Sequence, residues 1–130
     1  MTASAMMGPM ASKRSGPIAG LEAFALSLPG AFADMPWEEE FVAKVGKKIF
    51  VFFGNDEHPV ISVKLPASAD HALATPGAAP TSYGLGRHSW VTVPIGRPEA
   101  PEDLLRDWIE ESYRAIATKR LVAELDSRPS

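Results

Sequence analysis

Histidines are the first residues to test for chemistry, because a chain without cysteine depends on them for most general-base catalysis. The three histidines are His58, His71 and His88, and none lies in a recognisable catalytic motif. Asp70 directly precedes His71, but neighbouring residues on a helix point apart and do not form a base with its orienting acid. We therefore expect no catalytic residues and a protein that is not an enzyme.

Cofactor and metal sites are not indicated either. Gly84 and Gly86 form a G-x-G pair, which lacks the third glycine and the following helix of a dinucleotide-binding turn. The histidines and carboxylates show neither H-x-x-x-H spacing nor an aspartate-rich loop. The absence of cysteine excludes disulfides and cysteine-ligated metals. The sequence predicts no cofactor and no metal.

Basic and aromatic residues on two predicted strands indicate a different chemistry. Strand alternation assigns a set of apolar residues to a face covered by helices: Ile61, Val63, Leu65, Val91, Val93 and Ile95. The opposite face then carries Ser62, Lys64, Trp90 and Thr92, with His88 if the second strand begins early. Lysine contacts phosphate and an exposed aromatic ring stacks on a base, so this face suits nucleic acid. The alternative is a buried Trp90 with Tyr83 in its lid, since tryptophan is more often packed than displayed.

Periodicity and turn residues predict the first half of the fold. A helix begins at Pro17 and ends at Pro29-Gly30. Strands at residues 41–45 and 49–53 flank a turn at Gly46-Lys47-Lys48, and a third strand covers residues 60–65. These three strands predict an antiparallel sheet.

The second half adds two helices and one strand. We expect a short helix over residues 68–73 with Ser68 as its N-cap, then loop at residues 76–80. The last helix begins near Pro101, and its predicted buried stripe is Leu105, Trp108, Ile109, Ser112, Tyr113 and Ile116. The order of elements predicts an α+β fold, an antiparallel sheet with helices packed on one face.

Length and composition fit one globular domain, with 130 residues, 45% of them hydrophobic and 22% charged. We expect a flexible N-terminal tail at residues 1–16, a single domain at 17–122 and a flexible C-terminal tail at 123–130. The N-terminal residues lack the apolar segment of a secretory signal, and no apolar run approaches the roughly 20 residues that span a bilayer. A cytoplasmic protein without membrane contact is expected.

The charge is unevenly distributed along the chain. The net charge is −3, so no overall positive field attracts the molecule to a phosphate backbone. From Lys44 to Arg97, however, six basic residues stand against three acidic ones. Any contact with DNA must therefore use a local basic surface.

Five short segments, in this order and spacing, resemble the MmcQ/YjbR family over about residues 18–118. They are Leu28-Pro29-Gly30, Lys44-Val45-Gly46-Lys47-Lys48-Ile49-Phe50, Ser62-Val63-Lys64, Arg87-His88-Ser89-Trp90-Val91-Thr92-Val93 and Glu111-Ser112-Tyr113. The resemblance implies a small α+β fold of secretion-chaperone and frataxin-like architecture. It also implies a DNA-binding protein with two wings.

Carried onto this sequence, the resemblance places the wings at the Gly46-Lys47-Lys48 turn and at residues 87–90, with Lys64 between them. One position departs from the family pattern, because Ser89 separates His88 from Trp90 where many members have histidine directly before the tryptophan. An extended backbone would then place His88 on the other side of the strand from the usual histidine.

Two hypotheses of different classes remain. The first is a module that binds DNA through Lys47, Lys48, Lys64, Arg87 and His88, with Trp90 or Tyr83 stacking on bases if exposed. The second is a module that binds a protein or a small ligand on the same sheet face, or self-associates. A concave apolar surface around Trp90 would favour the second, and a flat basic one the first.

Overall fold

The computed structural model describes residues 16–37, 40–54, 59–81 and 88–128. These residues form four helices and six strands. The first half contains α1 (Gly16–Leu26), β1 (Ala31–Trp37), β2 (Glu40–Val45), β3 (Lys48–Phe53) and β4 (Val60–Lys64). The second half contains α2 (Ala69–Leu73), β5 (Ala79–Pro80), β6 (Trp90–Pro94), α3 (Glu102–Ile116) and α4 (Lys119–Asp126). None of the described helices is long and apolar enough to cross a membrane.

The six strands form one antiparallel sheet in the order β1-β2-β3-β4-β6-β5. Strands β1 to β4 are consecutive in the chain and pair as a meander. The segment between β4 and β6 contains α2 and returns through the two-residue edge strand β5. The predicted α+β fold with an antiparallel sheet is confirmed.

The two faces of the sheet have different surroundings. One cross-strand row, Phe41, Phe53, Ile61 and Val93, belongs to the main hydrophobic core that the helices cover. The neighbouring row on the opposite face is Val42, Phe52, Ser62 and Thr92. The alternation predicted for β4 and β6 is therefore the observed one.

Helices α1 and α3 lie side by side on the core face and run in the same direction. Contacts appear in matching order along both: Glu102 lies against Gly20, the Arg106 guanidinium is 5.4 Å from the Phe24 ring centroid, and Tyr113 reaches Pro29. The buried residues of α3 are Leu105, Trp108, Ile109, Ser112 and Tyr113. These five residues form the stripe that the 3.6-residue period predicted, while Ile116 is only partly buried.

Two strands were missed by sequence reasoning. Strand β1 contains Asp34 and Pro36, residue types that are depleted in strands, and it forms because an edge strand tolerates a proline without an N–H donor. Strand β5 is only Ala79 and Pro80, paired with β6 where we expected loop. The residue types of β1 concealed it, and β5 is too short to show a period.

The role predicted for Ser68 is also wrong. It precedes α2, but its side chain makes no capping bond to that helix. The Ser68 hydroxyl instead donates to Glu111 Oε1 on α3, at 2.7 Å. A carboxylate from a helix distant in sequence outcompetes the local cap.

The predicted C-terminal boundary at residue 122 falls inside a helix. Thr118 caps α4 by accepting from the Leu121 N–H at 3.3 Å, and the helix continues to Asp126. Leu121, Val122 and Leu125 pack against the core. The predicted tail at 123–130 is therefore wrong up to residue 126, because a short amphipathic helix gains its stability from docking. The predicted N-terminal tail lies outside the described residues except for Gly16, which begins α1.

Candidate functional site

Basic side chains from three parts of the fold gather at one end of the sheet. The turn between β2 and β3 is made possible by Gly46, whose φ is 64°, and it exposes both Lys47 and Lys48. Strand β4 runs antiparallel to β3, with Val51 opposite Val63, so Lys64 ends β4 at the same end of the sheet.

Helix α4 adds two cations that sequence reasoning had not placed here. Leu121 and Val45 both lie beside Gly30, which places the start of α4 next to the end of β2. Lys119 and Arg120 are exposed in that first turn. The signal that could have revealed this helix is Thr118 followed by Leu121, Val122 and Leu125.

We call these five side chains, Lys47, Lys48, Lys64, Lys119 and Arg120, the basic end. No ion pair links any of them to a carboxylate within the part of the chain that the structure describes. Some other cations in that part are paired, among them Lys44 with Asp34 at 3.4 Å, and Arg114 with Glu110 and Asp126 at 2.9 and 2.8 Å. The basic end is thus positioned to meet an external anion.

Trp90 begins β6 opposite Lys64, but it is not a stacking platform. Only 7% of its surface is exposed, and its ring meets Phe52 edge to face with 5.5 Å between centroids. Trp90 and Val42 are buried apart from the main core, in a small cluster on the opposite face of the sheet. The alternative of a buried Trp90 is therefore the one observed, and the indole, which was expected to stack on bases only if exposed, packs in this second cluster.

Hydroxyl groups complete the same face. Ser62 and Thr92 share a hydrogen bond of 2.7 Å across β4 and β6, and Thr81 contacts Thr92 at 3.0 Å. These hydroxyls bond to one another across the strands, and Thr81 and Thr92 remain partly exposed.

His88 is exposed, but it does not continue the alternation of β6. Ser89 has a φ of 71°, in the left-handed region that non-glycine residues seldom adopt, and its carbonyl accepts from the Leu65 N–H at 2.8 Å. The strand begins at Trp90 and not earlier, so the condition under which His88 would share the face of Trp90 is not met. Tyr83 and Arg87 lie outside the described residues.

The Glu111-Ser112-Tyr113 segment holds this end of the sheet together, and Ser112 is its centre. The Ser112 hydroxyl donates to the Phe50 carbonyl at 2.5 Å and accepts from the Lys64 N–H at 2.8 Å. It therefore joins α3 to the backbone of β3 and to the backbone of Lys64, the residue of the basic end that ends β4. The other two residues of the segment reach different loops.

Glu111 fixes the segment that follows β4. Its Oε2 accepts from the N–H groups of Ala67 and Ser68 at 2.8 and 3.0 Å. On the opposite side of α3, the Tyr113 hydroxyl donates to the Pro29 carbonyl at 2.6 Å. Three consecutive side chains thus attach α3 to three separate parts of the chain, and their role is structural.

The sequence model of the YjbR family matches residues 26–115, which is most of the chain. The chain belongs to the YjbR family. The matched region runs from the end of α1 into the last turn of α3, so it includes the Glu111-Ser112-Tyr113 attachment and its partner Pro29. No curated protein matches the chain.

Within this YjbR domain the basic end falls into two parts. Lys47, Lys48 and Lys64 lie inside the region that the family model matches, whereas Lys119 and Arg120 follow it on α4. The two parts meet because Leu121 packs beside Gly30 and Val45. The family scaffold and a C-terminal helix therefore both contribute cations to this end of the sheet.

Other sites in the YjbR domain have little chemistry. Across residues 16–37, 40–54, 59–81 and 88–128, no group of three or more histidines or carboxylates could hold a metal ion. One open cavity of about 560 Å³ lies between the segment after β4 and α3, and another of about 340 Å³ lies at the start of α3. Neither borders Trp90.

Proposed function

We propose that this YjbR-family protein is a non-enzymatic module that binds DNA by contacting backbone phosphates with its basic end. The observation that carries the proposal is the convergence of five cations, none of which has an ion-pair partner within the described residues. Unpaired lysine and arginine side chains can replace condensed counterions on a phosphate backbone. Arg87 and His88, which precede β6, extend the proposed contact.

The turn at Gly46-Lys47 is the proposed first wing. A left-handed glycine allows a tight turn, so the strands remain paired up to Lys48 and present adjacent lysines on a supported hairpin. Residues 87–90 form the proposed second wing, and Lys64 lies between the two on β4. The hydrogen bonds of Ser112 to the backbone of β3 and β4 support this arrangement.

Contacts to phosphate carry little sequence information. With Trp90 packed against Phe52, direct stacking by that ring is unavailable, and phosphate contacts supply the affinity. A net charge of −3 keeps the binding local and dependent on ionic strength. The alternative of a small-ligand site around Trp90 has less support, because the indole is buried.

Replacing both Lys47 and Lys48 by alanine tests the proposed surface. Each lost phosphate contact lowers the slope of log affinity against log salt concentration by about 0.9, so the double variant should lose about 2 in slope. The measurement is fluorescence anisotropy of a labelled DNA duplex titrated with protein from about 50 to 200 mM salt.

Arg97→Ala is the matched control. Arg97 is exposed beyond the other end of β6, and none of the described carboxylates forms an ion pair with it. Its removal changes the net charge by one unit but should leave the slope unchanged. Equal slopes for the wild type and the double lysine variant would reject the basic end as the DNA contact, and a wild type that binds neither single-stranded nor double-stranded DNA at low salt would reject the function.

A further inference from the structure

Phe32 is the most exposed large hydrophobic side chain of the described residues, with 45% of its surface accessible. It lies near the start of the edge strand β1, opposite Lys44 on β2. Its neighbour Ala33 pairs with Ala43, whose side chain lies in the main core, so Phe32 projects from the opposite face of the sheet. The accessible part of the Phe32 ring does not contribute to packing, so packing does not explain its exposure.

The charged side chains beside Phe32 form an ion pair. The Lys44 ammonium lies 6.0 Å from the ring centroid and is held by Asp34 at 3.4 Å. Strand β2 then continues from Lys44 to the turn that carries Lys47 and Lys48. An aromatic ring therefore lies beside one paired lysine, at the end of the sheet where the basic end lies.

We propose that Phe32 is a stacking platform for an unpaired base, and that the protein consequently prefers single-stranded over double-stranded nucleic acid. This inference rests on the proposed function, because Lys47 and Lys48 would hold the phosphates that flank the stacked base. Bases in a duplex are stacked on one another and cannot lie flat against a side chain, whereas those of a single strand can. The exposed lysines of the adjacent turn favour a nucleic acid over an apolar partner here.

The arrangement also explains how a protein with a buried Trp90 can still bind a base. Trp90 packs against Phe52, whereas Phe32 at the sheet edge is left accessible. Asp34 lies beside Lys44 and limits the local positive charge, so the ring and not the ammonium is expected to supply the preference for single strands.

Phe32→Ala separates stacking from phosphate contact. The probes are a labelled 20-nucleotide mixed-sequence single strand and the duplex formed with its complement, measured by anisotropy at one low salt concentration. We expect a roughly 5- to 100-fold loss for the single strand, the range associated with loss of one stacked base, and less than about 2-fold for the duplex. Phe32→Trp should retain single-strand binding.

Leu73→Ala is the control for removing an exposed apolar side chain, since Leu73 is 38% exposed and lies on α2. It should leave both affinities unchanged, and thermal melting verifies that each variant is folded. Stacking is overturned if Phe32→Ala lowers the affinities for the single strand and the duplex equally, or lowers neither. The proposed function is retained in that case if the wild type binds DNA and the lysine substitutions reduce its salt slope. A wild type that binds neither the single strand nor the duplex overturns both stacking and the proposed function. A Phe32→Ala variant that loses self-association in sedimentation while keeping single-strand binding assigns the ring to a protein contact and overturns stacking.

Discussion

At the scale of single residues, the Glu111-Ser112-Tyr113 segment is explained by hydrogen bonding and not by catalysis. Ser112 is fully buried, and its hydroxyl serves the Phe50 carbonyl and the Lys64 N–H together. Buried polar groups must be paired, because an unpaired one costs its full desolvation energy. A serine among apolar neighbours is therefore a structural requirement of the junction between α3, β3 and β4.

Ser112→Ala should destabilise the fold by about 1 to 3 kcal/mol, because it leaves a backbone donor and a backbone acceptor without their partner. Urea unfolding followed by circular dichroism measures the loss. Ser127→Ala is the control: this exposed hydroxyl donates to the Ala123 carbonyl at 3.0 Å, and its removal should change the stability by less than about 0.5 kcal/mol. Equal losses for the two variants would contradict the role given to Ser112.

Tyr113 links stability to alkaline pH. Burial raises the pKa of its hydroxyl above the usual value of 10.0, Glu124 raises it further, and Arg128 and Arg114 oppose the rise. The unfolded chain therefore loses this proton at a lower pH than the folded protein does. The stability contributed by the raised pKa is fully present below about pH 10 and is lost as the pH rises toward the folded value.

We expect the melting temperature of the wild type to fall more steeply above about pH 10 than that of Tyr113→Phe, which has no proton to lose. The variant should also be about 1 kcal/mol less stable near neutral pH, since the Pro29 carbonyl loses its donor. Calorimetric melts from pH 7 to 11 follow both effects. Parallel pH profiles of the melting temperature for the wild type and Tyr113→Phe would show that Tyr113 has the same pKa in the folded and the unfolded state.

At the scale of elements, the docking of α4 decides whether Lys119 and Arg120 belong to the basic end. Gly30 has a φ of 74°, and a Cβ atom there would lie 3.2 Å from Leu121 Cδ1. Gly46 has a similar φ of 64°, but a Cβ atom there would meet nothing within 4 Å. Comparing substitutions at these two glycines therefore separates the cost of backbone strain from the cost of contact with α4.

Gly46→Ala should cost about 1 to 2 kcal/mol from the left-handed backbone alone. Gly30→Ala should cost about 1 kcal/mol more, because Leu121 must shift to admit the methyl group. Chemical unfolding of both variants measures this difference in stability. When Gly30→Ala is combined with Leu121→Ala, the extra cost of Gly30→Ala should disappear. The docking of α4 beside Gly30 would be refuted if both glycines showed the same cost in both backgrounds.

At the scale of the whole molecule, charge is separated although the net charge is only −3. The outward side of α3 carries exposed Asp103 and Asp107, whereas the basic end lies where β2, β4 and α3 finish. A polyanion is repelled from one region and attracted to another, so the approach is oriented. Screening weakens both effects beyond a Debye length of about 8 Å at physiological ionic strength.

By itself the sequence determined the elements whose periods are local and strong. The apolar stripe of α3 and the alternation of β4 and β6 need only the repeat of the helix or strand, and the observed buried residues follow them. The resemblance in five segments led to the YjbR family, which is confirmed over residues 26–115. The lysines of the first proposed wing were also visible, because a glycine turn between two strands exposes its residues.

Only the tertiary structure decided which of these residues are accessible and which act together. Alternation placed Trp90 on the correct face, but its burial depends on Phe52 across the sheet. The exposure of Phe32 depends on β1 being an edge strand, although Asp34 and Pro36 concealed that strand in the sequence. Lys119 and Arg120 join Lys47 and Lys48 because Leu121 packs beside Gly30. Periodicity specifies which side of an element a residue occupies, whereas accessibility depends on what distant segments place against that side.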